Sequence, residues 1–206
     1  MKQLAPVLLL FSTCFANSTF YIKGAGTFTY ANWESNLTNL NISSDSWSKG
    51  KRQQGFDLAV GTFSYKGLYG SPAAIVAEAG VKRIDKVSFQ IYDNQPLRES
   101  IYTTVPYAAL GVSQAYENYR ATFMVGVGKR IFNIDNNILT RYNWDVRSYI
   151  TPVFSASIDR SIIKGTGFGL GYQIIPGRAD LIGSNSTSRE FVPMIQQGQL
   201  LFYYHI

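Results

Sequence analysis

The sequence predicts an all-β protein, a closed antiparallel transmembrane β-barrel with eight strands, or ten as the other count. Three observations lead there. Residues 200–206 read as a strand whose Leu200, Phe202, Tyr204 and Ile206 share one face, because strand side chains alternate. Several other segments repeat the same apolar/polar alternation, which suits a wall between lipid and a polar lumen. The chain also opens on a leader, and Cys14 is its only cysteine, so no disulfide is expected to brace the rest.

The leader is residues 1–16. Lys2, a short apolar stretch interrupted by Pro6, and the small residues Cys14 and Ala16 around a cut after Ala16 form a signal-peptide pattern. The apolar stretch is far shorter than the ~20 residues that a spanning helix needs. A lipid-modified Cys14 is the competing reading, and Phe11 and Thr13 suit it poorly. Residues 17–206 are then one domain, long enough for eight to ten strands and too short for a barrel plus a second globular unit. Mean hydropathy is −0.05, as expected where every lipid-facing residue alternates with a lumen-facing one. The expected location is the outer membrane of a Gram-negative bacterium.

The first strand places Phe20, Ile22, Gly24, Gly26, Phe28 and Tyr30 toward lipid and Tyr21, Lys23, Ala25, Thr27 and Thr29 toward the lumen. Phe20, Tyr21 and Tyr30 near its ends are expected at headgroup level, where aromatic rings are favoured. Residues 32–53, rich in Asn, Ser and Lys, read as a long outer loop. The second strand, 54–65, turns Phe56, Leu58 and Val60 outward and Asp57 inward; the third, 73–83, turns Ile75, Ala77, Ala79 and Val81 outward and Glu78 and Lys82 inward. Residues 85–99 form a second long connection, within which 87–92 could prolong the strand above the membrane.

A fourth strand, 101–114, leads through a short turn at 115–119 to a fifth at 120–131, whose Ala121, Phe123, Val125 and Val127 share a face. Residues 133–137 read as a tight connection and 138–147 as a sixth strand, with Thr140, Tyr142 and Trp144 opposed to Arg141, Asn143 and Asp145. Residues 148–163 fit either a periplasmic turn with a short helix or one more strand at 152–158. The seventh strand, 165–175, alternates bulky outward residues with Gly165, Gly167, Gly169 and Gly171, which predicts a narrow lumen there. After a polar loop at 176–193, residues 194–206 close the barrel. With the amino terminus in the periplasm, the long connections after the first, third and seventh strands fall outside.

The opening run Phe20 to Gly26, the run Ala77 to Val81, the run Val105 to Gly111 and the terminal strand resemble the small outer-membrane barrels of the opacity-protein and OmpA transmembrane-domain type. The resemblance covers most of residues 17–206 and implies barrel architecture, not a catalytic signature. It also implies insertion by the barrel assembly machinery with help from periplasmic chaperones.

One charged residue per lumen-facing stretch recurs in Lys23, Asp57, Glu78, Lys82, Arg141 and Asp145. Charges removed from bulk water in a narrow barrel should pair across it, giving an ion-pair plug or, as the alternative, a narrow ion-conducting channel. The formal charge of +6 makes the phosphates of lipopolysaccharide a fitting counter-charge, and no nucleic-acid partner is expected of an exported barrel. Trp33, Trp47, Lys49, Lys51 and Arg52 could together form a surface-loop binding patch for lipopolysaccharide or a host-surface ligand. No enzyme is expected: His205 is the only histidine and lies beside the terminus, so a lipid A-acting activity is the remote alternative. No metal site and no cofactor are expected either, since strand glycines such as Gly126 and Gly128 lack the sequel of a phosphate loop. The expected role is structural or surface-interactive, that of a porin-like surface antigen.

Overall fold

The computed structural model describes residues 18–31, 52–64, 73–93, 95–134, 148–163, 165–179, 191–192 and 194–206. Ten strands occur among them: β1 (Ser18–Ala31), β2 (Arg52–Ser64), β3 (Ala73–Asp93), β4 (Gln95–Tyr116), β5 (Tyr119–Ile134), β6 (Tyr149–Ile163), β7 (Thr166–Ile175), β8 (Arg178–Ala179), β9 (Phe191–Val192) and β10 (Ile195–His205). Eight of them close a barrel in the order β1-β10-β7-β6-β5-β4-β3-β2, while β8 and β9 form a separate two-stranded sheet. Every neighbouring pair is antiparallel, including the closing pair β1 and β10.

Closure follows from the absence of any place for a bare strand edge in lipid. Following cross-strand partners once round the wall from Ser18, through Ser64, Ile75, Val112, Phe123, Ala156, Tyr172 and Gly198, the path returns to β1 at Phe28. The barrel therefore closes with a stagger of ten residues, and its strands tilt by about 40°. Eight strands so staggered leave an interior only wide enough for side chains.

The wall is inside-out relative to a soluble domain. Phe20, Phe28, Leu58, Val60, Leu110, Phe123, Val127, Ile158, Leu170 and Phe202 point outward and are exposed, whereas Lys23, Asp57, Glu78, Lys82, Gln173 and Gln197 are buried inside. Among the described residues no helix is long and apolar enough to cross a membrane. The strands make the crossing.

One rim holds the start of β1 and the end of β10, the turn Glu117–Asn118 between β4 and β5, and the ends at which β2 meets β3 and β6 meets β7. Glu117 and Gly165 take left-handed backbone angles there (φ 53° and 86°), as tight reversals demand. Backbone bonds from His205 N–H to the Gly165 carbonyl (2.6 Å) and from Ile206 N–H to the Phe20 carbonyl (2.9 Å) fasten this rim. The opposite rim carries the connections 32–51, 135–148 and 176–194. By this asymmetry the rim where β1 starts and β10 ends is periplasmic and the other faces outside.

Three expectations change. Residues 148–163, read as a turn with a short helix or as a shorter strand, contain the sixth barrel strand: β6 pairs with β5 on one side and β7 on the other. Residues 138–147, expected in that place, lie outside the described residues. Pro152 obscured β6 in the sequence, yet it points outward and forgoes a single ladder bond, which a strand tolerates where its other residues keep the alternation. The second change is at β3 and β4, which run beyond the barrel: β2 stops pairing at Ile84 and β5 at Ile101, but β3 and β4 continue together from Val87 and Ile101 to Asp93 and Gln95. A register shift between Ile84 and Val87 marks the exit. Tyr21, the third, does not sit at headgroup level; it is buried inside, against Glu78.

Candidate functional site: the barrel lumen

The lumen is built in layers, one inward residue from each strand in turn. At its centre, Lys23 of β1, Asp57 of β2, Glu78 and Lys82 of β3 and Tyr107 of β4 converge, all at most 6% exposed. Lys23 donates to Glu78 and lies 3.4 Å from Asp57, while Lys82 donates to the other oxygen-rich partner, Asp57. Lys23 also donates to the Tyr107 hydroxyl (3.2 Å). That hydroxyl carries one proton and lies 2.7 Å from Glu78 Oε1 and 3.0 Å from Asp57 Oδ1, so it bridges the two carboxylates. Tyr21 donates to Glu78 Oε2 (2.8 Å) and Gln199 Nε2 to Asp57 Oδ2 (3.3 Å). Lys82 Nζ stands 4.3 Å from the centre of the Tyr107 ring, a cation–π contact.

Two cations and two anions cancel, and each charged group is held by an opposite charge and at least one further polar or aromatic group. Ions can be kept out of water only on those terms. The arrangement suits a rigid plug. Every strong donor and acceptor in it is engaged by another, so none is left pointing at a substrate position.

Nearer the periplasmic rim, Arg120 of β5 makes a bidentate pair with Asp159, directly opposite on β6 (Nε to Oδ1 3.1 Å, Nη2 to Oδ2 2.8 Å). Its guanidinium lies 4.0 Å from the centre of the Phe63 ring, and Tyr21 packs against Phe63 at 4.7 Å and Tyr203 at 5.6 Å. His205 is half-buried beside these rings, 5.9 Å from Phe63, and so is a rim residue in an aromatic cluster. Toward the outer end, Arg130 of β5 is fully buried and donates to the Tyr149 hydroxyl of β6 (2.9 Å). Between this region and the centre, Gln173, Gln197, Thr29 and Gln53 face one another in consecutive pairs across β7, β10, β1 and β2, with Gln197 donating to Thr29 (2.8 Å).

Of the lumen charges singled out from the sequence, Lys23, Asp57, Glu78 and Lys82 come together; Arg141 and Asp145 lie outside the described residues. Tyr107, Tyr21 and Gln199 went unrecognised as members of this cluster, and Arg120, Asp159 and Arg130 as lumen charges. Parity could have found Arg120 and Arg130, since both share the inward face of β5 with Thr122 and Met124. Asp159 belongs to the strand whose extent the sequence left open. Trp33, Trp47, Lys49 and Lys51 are outside the described residues, and Arg52 opens β2 opposite Tyr30. No group of three or more His, Cys, Asp or Glu side chains suited to a metal occurs among the described residues.

No protein-family model matches the chain, and no curated protein matches it. Solved structures do. OprG, an outer membrane protein from Pseudomonas aeruginosa, superposes with a TM-score of 0.52 at 8% identity, over 92% of this chain and 96% of its own. The Neisserial surface protein A gives 0.48 at 8% identity over 91% and 98%, and Ail, the attachment invasion locus protein of Yersinia pestis, 0.47 at 11% over 92% and 97%. The fold is that of the small outer-membrane β-barrels. Together with the apolar outer wall, the closed sheet and the polar interior, it places the chain in a bacterial outer membrane.

Proposed function

We propose that this outer-membrane barrel has a structural or surface-interaction role, exercised by what its outer rim presents and not by passage or chemistry in its lumen. The observation that carries this reading is the central layer, where Lys23, Asp57, Glu78, Lys82 and Tyr107 saturate one another. A substrate would have to break buried ion pairs to enter, at a cost of about 3–5 kcal/mol for each group left alone. The outer rim offers the connection 32–51 and the β3–β4 ribbon that rises beyond the barrel wall. Lys49, Lys51 and Arg52, with Trp33 and Trp47, supply the basic and aromatic chemistry suited to lipopolysaccharide phosphates or an anionic host-surface ligand.

Deletion of residues 43–52 tests the reading. The variant should fold and keep its heat-modifiable migration, yet bind lipopolysaccharide vesicles or immobilised sulfated glycan less well, with the difference largest at low salt, where exposed charges are least screened. Unchanged binding at every ionic strength would remove the loop from the proposal. Altered lipid A mass spectra in cells expressing the protein would instead favour a barrel enzyme.

A further inference from the structure

The lipid-facing wall is not uniform. Over β5 and β6, toward the periplasmic rim, small side chains interrupt the bulky outward rows: Ala121 lies opposite Ile158, and Ala156 lies between Phe123 and Tyr172. With Leu170 they shape a furrow of about 940 Å³ on the outside of the barrel. At its periplasmic end Arg160 is exposed on the outward face, its guanidinium 5.4 Å from the centre of the Tyr119 ring directly across on β5. Among the described residues it is the only charge that a barrel strand turns outward in the periplasmic half of the wall, and no carboxylate pairs with it. Asp159, which also borders the furrow, is buried and held by Arg120, and Glu117 belongs to the turn and not to the wall.

We propose that this furrow seats one glycerophospholipid of the periplasmic leaflet, with its phosphate on Arg160 and an acyl chain along Ala121 and Ala156. The charge fits, because a guanidinium presents a planar fork that matches phosphate oxygens, and the Tyr119 ring steadies that fork without neutralising it. The length fits as well. Each residue of a strand tilted by about 40° advances roughly 2.5 Å along the membrane normal, so Ala156, four residues before Arg160 on β6, lies about 10 Å nearer the membrane centre. That is nearly the depth of one leaflet in an apolar band about 25 Å tall. Lys129 is also exposed on the outward face, but it stands at the outer end of β5 and borders no part of the furrow. The inference goes beyond the surface role, since it concerns the wall at the opposite end of the barrel from the outer rim.

The test is native mass spectrometry of the detergent-purified protein with dioleoylphosphatidylglycerol added in steps. The parent should keep one phospholipid per chain under detergent conditions that strip the rest. Arg160→Gln should lower that species at least fivefold, and Ala121→Phe/Ala156→Phe, which fills the furrow and keeps the wall apolar, should do the same. Lys129→Gln should match the parent. Dioleoylglycerol, with the same chains and no phosphate, should not be retained. Heat-modifiable migration certifies folding of each variant, and Ala156→Leu serves as the milder furrow variant if the double fails to fold. The proposal is overturned if the parent retains no phospholipid, if Arg160→Gln and Lys129→Gln lose it equally, if a folded furrow variant keeps it, or if dioleoylglycerol binds as well. Dimers of the chain that the furrow variant dissociates would overturn it too, in favour of a second copy as the occupant.

Discussion

Tyr107 shows how much a single residue contributes that its own sequence neighbourhood does not announce. It lies in β4 between Pro106 and Ala108, yet its hydroxyl links Lys23, Asp57 and Glu78 from three other positions on two further strands and β1. Removing one member of this cluster leaves an opposite charge stranded in a water-poor interior. Asp57→Leu should therefore destabilise the barrel by about 3–5 kcal/mol, because Lys82 loses its acceptor, whereas Asp57→Leu/Lys82→Met should recover much of that loss. Urea titration of the refolded protein in lipid vesicles measures both, and an additive double variant would argue against the pairing. Gly61 is a second case. A Cβ there would come 2.3 Å from the Tyr21 ring, so the ring rests on bare backbone while its hydroxyl reaches Glu78. Gly61→Ala should push Tyr21 off Glu78 and cost about 1–3 kcal/mol by overpacking, read in the same titration.

Among the elements, β6 was the least legible. Its outward row, Ile150, Pro152, Phe154, Ala156 and Ile158, mixes a proline and an alanine with larger residues, and its inward row, Thr151, Val153, Ser155 and Ser157, is only weakly polar. Neither row has the contrast that made β1 plain, and residues 138–147 presented a sharper alternation. Pairing with β5 and β7 decides for β6, since the wall closes only through it. Depth along a strand has its own consequence. Leu58 of β2 faces lipid midway along the strand and Tyr30 of β1 near the outer end, opposite Arg52. Leu58→Arg should cost about 2–4 kcal/mol and Tyr30→Arg about 0–1, because a charge near the interface reaches water. Folding yield and urea midpoints in lipid should rank the two that way; the reverse order would mean that the lipid-facing band is misplaced.

At the scale of the molecule, the barrel is held by a continuous ladder with no free edge within the wall, so it should open as one unit. Unheated samples in detergent should migrate differently from boiled ones on denaturing gels, and urea washing should leave the protein in the membrane fraction. Recovery as a soluble periplasmic protein would contradict the lipid-facing wall. The β3–β4 ribbon departs from this closure: past Ile84 and Ile101 it is paired only with itself among the described residues. Such an extension belongs outside the membrane, because lipid offers no partners to open strand edges.

Alternation alone determined the fold class and most inward and outward assignments, since a period of two commits every residue of a strand to one face once any of them is placed. It also marked Lys23, Asp57, Glu78 and Lys82 as lumen residues. Which of them meet was decided by tertiary structure: the ten-residue stagger and the β1–β10 closure set the height of each inward side chain, and height determines who can touch. Lys23 and Tyr107, eighty-four positions apart, become hydrogen-bonded neighbours on those grounds.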